Sequence, residues 1–450
     1  MENMGRSAIH IISRMTAAVL AVSACLALSV SCGKDSIEPP RMPDEIDNVL
    51  LIYMAGKANN LAVDMRNNID DFCEGYVPEG ADRNILLAYE ELTGSSKPTR
   101  SYLIRIYRYK GDVVRDTLVT YPVTSIGASA ATLADVLGET ARRFPAKGYG
   151  LLFSSHATGW LPIGYYSDPK QYDREYDNMM HSSRTQRDGS WSRHAEMPER
   201  VPYIAPEYAP GSPAVKSVGQ DIVSENGQEM AYEMDLKDFA DAIPMHLDYI
   251  LFDCCLMGCV EVAYELKDKC DRIIFSPTEV LAQGFAYNTM SQRLLGGSSP
   301  DLLGVCRDYF AKYDAMSGDY RSATITCVDC TGIGPLADAC REIFNTHRDR
   351  LDLLDGEGIQ QYFRYDYHWF YDLRDIAVQA GADEEELAGL DEALDGCILY
   401  KDATEEFIGI PIERYSGFSM YLPGNGSGYL DNYYRSLAWN KATGLVSDSE

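Results

Sequence analysis

The sequence predicts an α/β protein with a mostly parallel central sheet and helices on both faces. Through the first two thirds of the chain, short apolar runs of strand length alternate with segments whose apolar residues recur at helical spacing. Strands that are separated by helices are joined by crossover connections, and such sheets are parallel and covered on both sides. The expected architecture is therefore a three-layer α/β/α sandwich.

The expected elements follow one another at short intervals. Buried strands are predicted where apolar residues run together, at 49–54, 84–89, 149–153, 249–252 and 273–275. Alternating faces on either side of a Gly-Asp turn predict a hairpin formed by 102–109 and 113–120. Helical spacing predicts helices at 129–144, 236–243 and 260–267. Beyond residue 329 the chain turns helical, and a last strand is expected at 417–422.

Residues 1–31 have the layout of a bacterial signal peptide. Arg6 and Arg14 precede an apolar run that is too short for a comfortable membrane span. The run ends in Leu-Ser-Val-Ser-Cys, which resembles a loose lipobox and predicts Cys32 as the lipidated first residue of an exported lipoprotein. The alternative is cleavage by ordinary signal peptidase, with Cys32 an incidental cysteine.

The segment 32–47 is predicted to be a lipid-anchored tether. It is polar and contains prolines, and its beginning, 33–36, resembles the surface-export tags of lipoproteins from Bacteroidetes-type bacteria. The expected location is the outer membrane or the cell surface of a Gram-negative bacterium. No other segment of the sequence is suited to span a membrane.

Charge narrows the range of partners. The chain has 450 residues, with 68 acidic against 40 basic residues and a formal net charge of −28. Such a surface repels nucleic-acid phosphates, so nucleic acid is not an expected partner. It attracts cationic ligands, including peptides that carry Lys or Arg. The twelve cysteines lack framework spacing, and most are expected to be small buried residues rather than disulfides.

The expected domain organisation has one core and one packed C-terminal portion. The core is predicted at 48–330 and the C-terminal α/β portion, packed on it, at 331–450. The stretch 165–218 is polar, rich in Arg, Pro, Ser and Tyr, and shows neither helical nor strand periodicity. A segment that long without periodicity is typical of a functional or disordered insertion.

A cysteine and a histidine each follow a predicted buried strand. His156 comes after 149–153 and enters a small-residue turn, whereas Cys255 comes after 249–252 and is followed by a predicted helix. Reactive groups collect at the carboxyl ends of parallel strands. A helix that begins just beyond Cys255 would stabilise its thiolate. An imidazole close to a thiolate is the pair that nucleophilic cysteine catalysis requires.

Two motifs around this pair resemble the clostripain family of caspase-like cysteine peptidases. Ser-Ser-His-Ala-Thr-Gly-Trp at 154–160 is similar to the family's His-centred motif, and Asp-Cys-Cys-Leu-Met-Gly at 253–258 to its Cys-centred motif. Weaker similarities, for example Ser-Pro-Thr-Glu at 276–279, extend over most of the chain after the tether. The resemblance implies a caspase-like fold, Cys255 as nucleophile and His156 as general base.

The resemblance also assigns roles to the neighbours of this pair. It implies that Asp253 lies in the pocket for the basic side chain before the cleaved bond, where a carboxylate would pair with Lys or Arg. The alternative is that Asp253 caps the following helix. Ala157 stands where the family usually has Gly, and Ala157 and Gly159 are expected to form the oxyanion loop. Cys254 stands where the family usually has Ala and is expected to be a packing residue.

Activation by self-cleavage is a further implication of the resemblance. In such a zymogen, a basic bond between the His and Cys segments is cut by the enzyme itself, and the insertion offers seven candidates: Lys170, Arg174, Arg184, Arg187, Arg193, Arg200 and Lys216. Calcium activation is implied by some family members, although no loop with calcium-ligand spacing is found.

The function predicted from the sequence is a cysteine endopeptidase that cleaves peptides and proteins after Arg or Lys. The alternative is a surface-exposed binding lipoprotein on a peptidase scaffold that has lost its activity, because a fold does not guarantee a chemistry.

Overall fold

The computed structural model describes residues 40–447, except 58–60, 95–96, 184–199, 205–212, 217–220, 366, 368 and 424–426. The predicted signal peptide, Cys32 and most of the tether therefore lie outside the described residues. The described chain from Pro43 onward belongs to one compact unit, Pro43–Glu450.

The strands and helices alternate over most of the chain. The strands are β1 (Ile46–Met54), β2 (Asn84–Gly94), β3 (Lys97–Tyr109), β4 (Asp112–Thr120), β5 (Ala146–Ser154), β6 (Arg200–Pro202), β7 (Asp221–Glu225), β8 (Gln228–Tyr232), β9 (Leu247–Asp253), β10 (Cys270–Phe275), β11 (Thr324–Asp329), β12 (Tyr371–Asp372), β13 (Ile398–Ala403), β14 (Glu406–Phe407), β15 (Ile410–Pro411) and β16 (Ser419–Met420). The helices are α1 (Ala62–Glu74), α2 (Ala130–Arg143), α3 (Pro169–Ser183), α4 (Leu236–Asp241), α5 (Val260–Leu266), α6 (Tyr287–Leu295), α7 (Leu302–Asp314), α8 (Ile333–Thr346), α9 (Arg348–Leu351), α10 (Leu373–Ala380), α11 (Glu384–Cys397), α12 (Gly428–Tyr434) and α13 (Ala438–Thr443).

A nine-stranded sheet in the order β13-β11-β10-β9-β5-β1-β2-β3-β4 forms the centre of the fold. The five central strands, from β10 to β2, are parallel, whereas β11, β13, β3 and β4 pair antiparallel at the two edges. Helices flank the sheet in two groups, with α1, α6 and α7 in one and α2, α4, α5, α8, α11 and α13 in the other. The predicted mixed α/β architecture with a mostly parallel sheet is confirmed.

The central strands form because their apolar runs are buried on both faces. In β5 and β9 every residue from Leu151 to Ser154 and from Tyr249 to Asp253 is buried. A strand covered on both sides needs no alternation of polar residues, which explains why these runs are continuously apolar. The polar residues that end them, Ser154 and Asp253, are therefore buried exceptions at the end of the sheet.

The insertion 165–218 contains more structure than its sequence pattern predicts. It includes the fifteen-residue helix α3 and the short strand β6, which pairs with β8 in a three-stranded sheet. Helix α3 packs against α12 through tyrosines, with Tyr172 and Tyr429 rings 5.3 Å apart. Its other residues are mostly polar and exposed, so an apolar stripe that would reveal the helix in the sequence is largely missing.

The cysteines behave as small buried residues, as the sequence predicts. All ten cysteines in the described part of the chain are free, and all but Cys73 are buried. No helix among the described residues is long and apolar enough to cross a membrane.

Helix α5, which follows the candidate nucleophile, carries a buried carboxylate. Glu261 is 1% exposed and accepts hydrogen bonds from the Tyr421 amide at 2.9 Å and the Tyr434 hydroxyl at 2.5 Å. Trp160 packs against both tyrosine rings, at 4.9 Å and 5.0 Å between centroids. Burial raises the pKa of Glu261 to about 7, although both hydrogen bonds oppose the rise. Glu261 thus ties α5 to the C-terminal portion.

The pKa of Glu261 predicts a pH-dependent stability. The folded protein keeps the Glu261 proton up to about pH 7, whereas the unfolded chain releases it near 4.5. The free energy of unfolding therefore falls as pH rises through this window, by about 3 kcal/mol, and levels off above it. Glu261→Gln should remove this part of the slope in urea unfolding between pH 5 and pH 8. The control, Glu265→Gln on the same helix, should keep the parent slope, and an unchanged slope in Glu261→Gln would contradict the assignment.

Candidate active site

Neighbouring strands bring the two candidate catalytic residues to the same edge of the sheet. Strands β5 and β9 are parallel, and Ser154 lies opposite Asp253 in their register. His156 and Cys255 each follow these partners by two residues, so both lie just beyond the carboxyl ends of adjacent strands. The sequence places each residue at a strand end, and the register places them side by side.

A loop separates Cys255 from the helix that follows it. The sequence predicts this helix at 260–267, and α5 spans Val260–Leu266 and has seven residues. Leu256 adopts a left-handed conformation with φ 62°, and its amide donates to the Thr278 carbonyl at 2.9 Å. The Gly258 amide donates to Ser276 at 2.8 Å, and a Cβ on Gly258 would lie 2.3 Å from the Pro277 nitrogen. The support of the Cys255 thiolate by the start of this helix stays a prediction.

A backbone amide contacts the thiol of Cys255. Cys255 is fully buried, and its Sγ accepts a hydrogen bond from the Val280 amide at 3.0 Å. The Val280 carbonyl lies 3.5 Å from the same sulfur. The Cys255 side chain is thus held against the segment 276–282, which we call the platform. Amide donation to sulfur stabilises a thiolate in the same way that a helix N-terminus would.

A short strand from the insertion lies on the other side of the platform. The Lys216 amide donates to the Val280 carbonyl at 2.8 Å, and the Ala282 amide donates to the Ala214 carbonyl at 2.8 Å. Val215 forms an antiparallel bridge with Leu281. The segment 213–216, which we call the docked strand, is therefore bound as a peptide would be when it is added to a sheet edge.

The Lys216 side chain fills a closed polar pocket beneath the docked strand. Its ammonium pairs with Asp253 Oδ2 and donates to Ser154 Oγ at 3.1 Å. The Lys216 and Asp253 side chains are both 0% exposed. Removing two charges from water is costly unless they meet with good geometry and further hydrogen bonds. The pocket supplies these bonds, so an ammonium is the group that it accommodates.

Asp253 is a pocket carboxylate and not a helix cap. Its Oδ2 also accepts hydrogen bonds from Ser154 Oγ at 3.0 Å and from the Tyr287 hydroxyl at 2.5 Å. The N-cap residue of α5 is Cys259, which makes no side-chain capping bond. The alternative that Asp253 caps the following helix is therefore wrong. Gly284 closes the pocket, since a Cβ there would lie 2.6 Å from Asp253 Oδ2.

The imidazole of His156 is buried against the docked strand. His156 is 5% exposed, and it contacts the backbone of Lys216. Burial lowers the pKa of His156 to about 3, because a charged imidazole would lose its hydration. The Lys216 backbone contact opposes this shift and the Lys216 ammonium adds to it. His156 is consequently neutral at physiological pH while the docked strand covers it.

The turn after His156 points an amide at the docked peptide. The Ala157 amide donates to the Lys216 carbonyl oxygen at 3.2 Å. Gly159 has a φ of 62°, and a Cβ there would lie 2.6 Å from the Leu256 carbonyl oxygen. Only glycine permits this approach between the two loops without strain. The Gly159 position therefore fixes the spacing between the histidine and cysteine loops.

Cys254 points away from this arrangement. It is fully buried, and its thiol donates to the Phe153 carbonyl at 3.4 Å. Burial, and next the neighbouring Asp253 charge, raise the pKa of the Cys254 thiol far above its ordinary value. A thiol held protonated in this way is not a nucleophile at neutral pH.

Three residues of the site received no role from the sequence. Ser154 and Tyr287 complete the pocket around Asp253, and Val280 holds both the thiol and the docked strand. Ser154 and Tyr287 lie in or next to the motifs that carry the resemblance, so they carried a signal. Val280 acts only through its backbone, so its residue type carried none.

The calcium implied by the resemblance has no evident site in the described part of the chain. There, no three His, Cys, Asp or Glu side chains come together in a group that could hold a metal ion. Calcium prefers six to eight oxygen ligands.

A peptide docked across a buried cysteine, at the carboxyl end of a mostly parallel sheet, is the arrangement of an α/β cysteine peptidase. Comparisons with known proteins agree with this class. A family model described as the clostripain family, peptidase C11, matches residues 206–446, more than half of the chain. The chain belongs to the clostripain family of cysteine peptidases. No curated protein sequence matches it.

Solved structures of C11 proteases share this fold. An inactive zymogen of a C11 protease from Parabacteroides distasonis is 26% identical with a TM-score of 0.67, over 89% of this chain and 99% of that one. A secreted C11 cysteine protease from Bacteroides thetaiotaomicron is 22% identical with a TM-score of 0.64, over 89% and 99%. A structure of a secreted C11 protease from the same bacterium, with an irreversible peptide inhibitor, is 21% identical with a TM-score of 0.65, over 88% and 99%.

The pair of Lys216 and Asp253 should control whether the docked strand stays in place. In Asp253→Asn, made in a Cys255→Ala background, the ammonium loses its counter-charge, and the strand should leave the cleft. Hydrogen exchange at the Lys216 and Ala282 amides should then accelerate by about 100-fold or more.

Asp64→Asn is the matched control for this exchange measurement. Asp64 lies close enough to Lys216 to feel its charge but is only partly buried, and its loss should leave both amides protected. Equal acceleration in the two variants would contradict a specific pair.

Proposed function

We propose that this protein is an endopeptidase that cleaves after Lys and Arg, with Cys255 as nucleophile and His156 as general base, and that its first substrate is its own Lys216–Ser217 bond. The observation that carries the proposal is the docked strand. The Lys216 side chain pairs with Asp253, its amide binds the platform, and its carbonyl accepts from the Ala157 amide. These are the contacts that a substrate requires before its carbonyl is attacked.

The proposed acylation step starts from a neutral imidazole. His156 takes the Cys255 thiol proton, and the sulfur attacks the Lys216 carbonyl carbon. The carbonyl oxygen gains negative charge, which the Ala157 amide stabilises. The bond from carbon to the Ser217 nitrogen then breaks, and His156 returns the proton to the leaving amine. The product is a thioester between Cys255 and Lys216.

Hydrolysis of the thioester completes the cycle. His156 removes a proton from water, and the hydroxide attacks the same carbonyl carbon. The carbon–sulfur bond breaks, the thiolate regains a proton from His156, and Lys216 leaves as a carboxylic acid that releases its proton to water. The same two steps would then apply to other peptides once the docked strand has vacated the cleft.

Asp253 is the proposed source of specificity for basic residues. Its carboxylate is fully buried and receives hydrogen bonds from Ser154 and Tyr287. A neutral or acidic side chain would leave this charge buried and unpaired, which costs several kcal/mol. A basic side chain restores the pair, as Lys216 does within the intact chain.

Export and anchoring belong to the proposal as well. The layout of residues 1–31 supports export, and the lipobox-like segment that ends at Cys32 supports a lipid anchor at the outer membrane or cell surface. The similar C11 proteases from Bacteroides thetaiotaomicron are described as secreted. Peptides with basic residues would then reach the protein outside the cytoplasm.

Self-cleavage should occur at a single basic bond. Purified wild-type chain should separate into two fragments, the second beginning at Ser217, and Cys255→Ala should remain intact. Lys216→Ala should block this cut, because an alanine leaves Asp253 unpaired and does not hold the strand in the cleft. Intact mass and N-terminal sequencing of the fragments measure both outcomes.

Lys170→Ala provides the control for this experiment. Lys170 is an exposed basic residue of the same insertion, and its removal should leave the cut unchanged. A Cys255→Ala chain that still appears as two fragments would contradict self-cleavage. A first fragment that ends at another basic residue would contradict the choice of Lys216.

Hydrolysis of small lysyl peptides tests the nucleophile. The Lys216→Ala chain, in which the strand no longer fills the cleft, should release a fluorogenic amine from such peptides, and Cys255→Ala added to it should lower kcat by at least about 1000-fold. Cys254→Ala removes a neighbouring buried thiol and should retain activity within about threefold. Equal loss in both variants would contradict Cys255 as the nucleophile. Binding of the peptide without hydrolysis in the wild type would instead favour the inactive binding scaffold.

A further inference from the structure

The docked strand also shows the surroundings of the side chains that precede Lys216. It pairs with the platform through Lys216 and Ala214, whose backbone hydrogen bonds to Val280 and Ala282 are both 2.8 Å long. Val215 lies between them, opposite Leu281 in an antiparallel bridge. An added strand has a defined register, so each of its side chains faces a defined surface.

Burial alternates along this strand outside the basic position. Val215 is 0% exposed and Pro213 is buried, whereas Ala214 between them is exposed. Side chains two residues apart in a strand point to the same face. Val215 and Pro213 therefore share a covered face, and Ala214 points to solvent.

We infer that the mature enzyme selects an aliphatic side chain at the residue directly before the basic one. It would accept any side chain two residues before the basic one, and would favour an apolar residue three residues before it. In this chain, these positions are held by Val215, Ala214 and Pro213. The inference rests on the proposed function, because the docked strand serves as the model of a substrate.

The physical reason is desolvation at the Val215 position. A side chain that is fully enclosed there gives up its water, which favours an aliphatic group. A carboxylate at this position would lose its hydration, and Leu281, the platform residue opposite it in the bridge, is apolar and buried. Loss of two methyl groups would also reduce binding, but by less, because only packing is lost.

The Ala214 position serves as the comparison for the Val215 position within the same peptide. Its side chain is exposed, so a carboxylate there would remain hydrated. A carboxylate at either position would feel the same general repulsion from a chain with a net charge of −28. Comparison of the two positions therefore separates selection by the covered face from repulsion by the whole protein.

The test compares four acetylated tetrapeptides that carry a fluorogenic amide after the lysine, with the self-cleaved wild-type enzyme at 0.15 M salt. The reference is Pro-Ala-Val-Lys, and the others replace Val by Asp, Val by Ala, or Ala by Asp. We expect kcat/KM to fall by at least about 100-fold for Asp in place of Val and by about tenfold for Ala in place of Val. For Asp in place of Ala we expect a loss of no more than about threefold.

The outcomes separate this inference from the function on which it rests. Hydrolysis of all four peptides at similar rates would overturn the selection and leave the peptidase intact. Equal losses for the two Asp peptides would also overturn it, since only general repulsion would then act. Failure to hydrolyse any of the lysyl peptides would overturn the proposed function and this inference with it.

Discussion

A buried ion pair between Lys216 and Asp253 determines the state of the active-site cleft. Neither side chain is exposed, so the pair exists only while the docked strand stays in place. The desolvation of two charges is offset by their contact and by the hydroxyls of Ser154 and Tyr287. A change that weakens the ion pair should therefore release the docked strand, and while the docked strand is bound the Lys216 side chain fills the Asp253 pocket. The intact chain is therefore a complex of the enzyme with a segment of itself.

The platform couples this strand to Cys255, the proposed nucleophile. The Val280 amide donates to Cys255 Sγ, and the Val280 carbonyl accepts from the Lys216 amide. The two peptide units that flank Val280 therefore position the thiol and the docked strand relative to each other. On its other edge, the platform accepts hydrogen bonds from the Leu256 and Gly258 amides. A backbone segment with both edges satisfied cannot shift without breaking bonds to the catalytic loop and the peptide at once. Because the platform binds both segments, it fixes the position of the docked strand relative to the Cys255 loop.

The protonation states of His156 and Cys254 follow from their burial in the site. Burial under the docked strand lowers the pKa of His156 to about 3 and so keeps its imidazole neutral. Burial also holds the neighbouring Cys254 thiol protonated, which leaves one cysteine positioned for chemistry. In the proposed function, the acidic surface would attract basic peptides, and the buried carboxylate of Asp253 would select them at short range.

The sequence by itself determined the mixed α/β sheet, the strands that end at His156 and Cys255, and the nearby Asp253, because these features depend on continuous apolar runs and local motifs. It offered seven basic residues in the insertion without distinguishing Lys216. It also gave no sign of the left-handed turn at Leu256 or of the contact between the Val280 amide and the Cys255 thiol. These points depend on contacts between segments that are 25 to 37 residues apart. Only the tertiary structure decides such contacts, since backbone groups bind whichever segment folding brings to them, and their residue type leaves no pattern in the sequence.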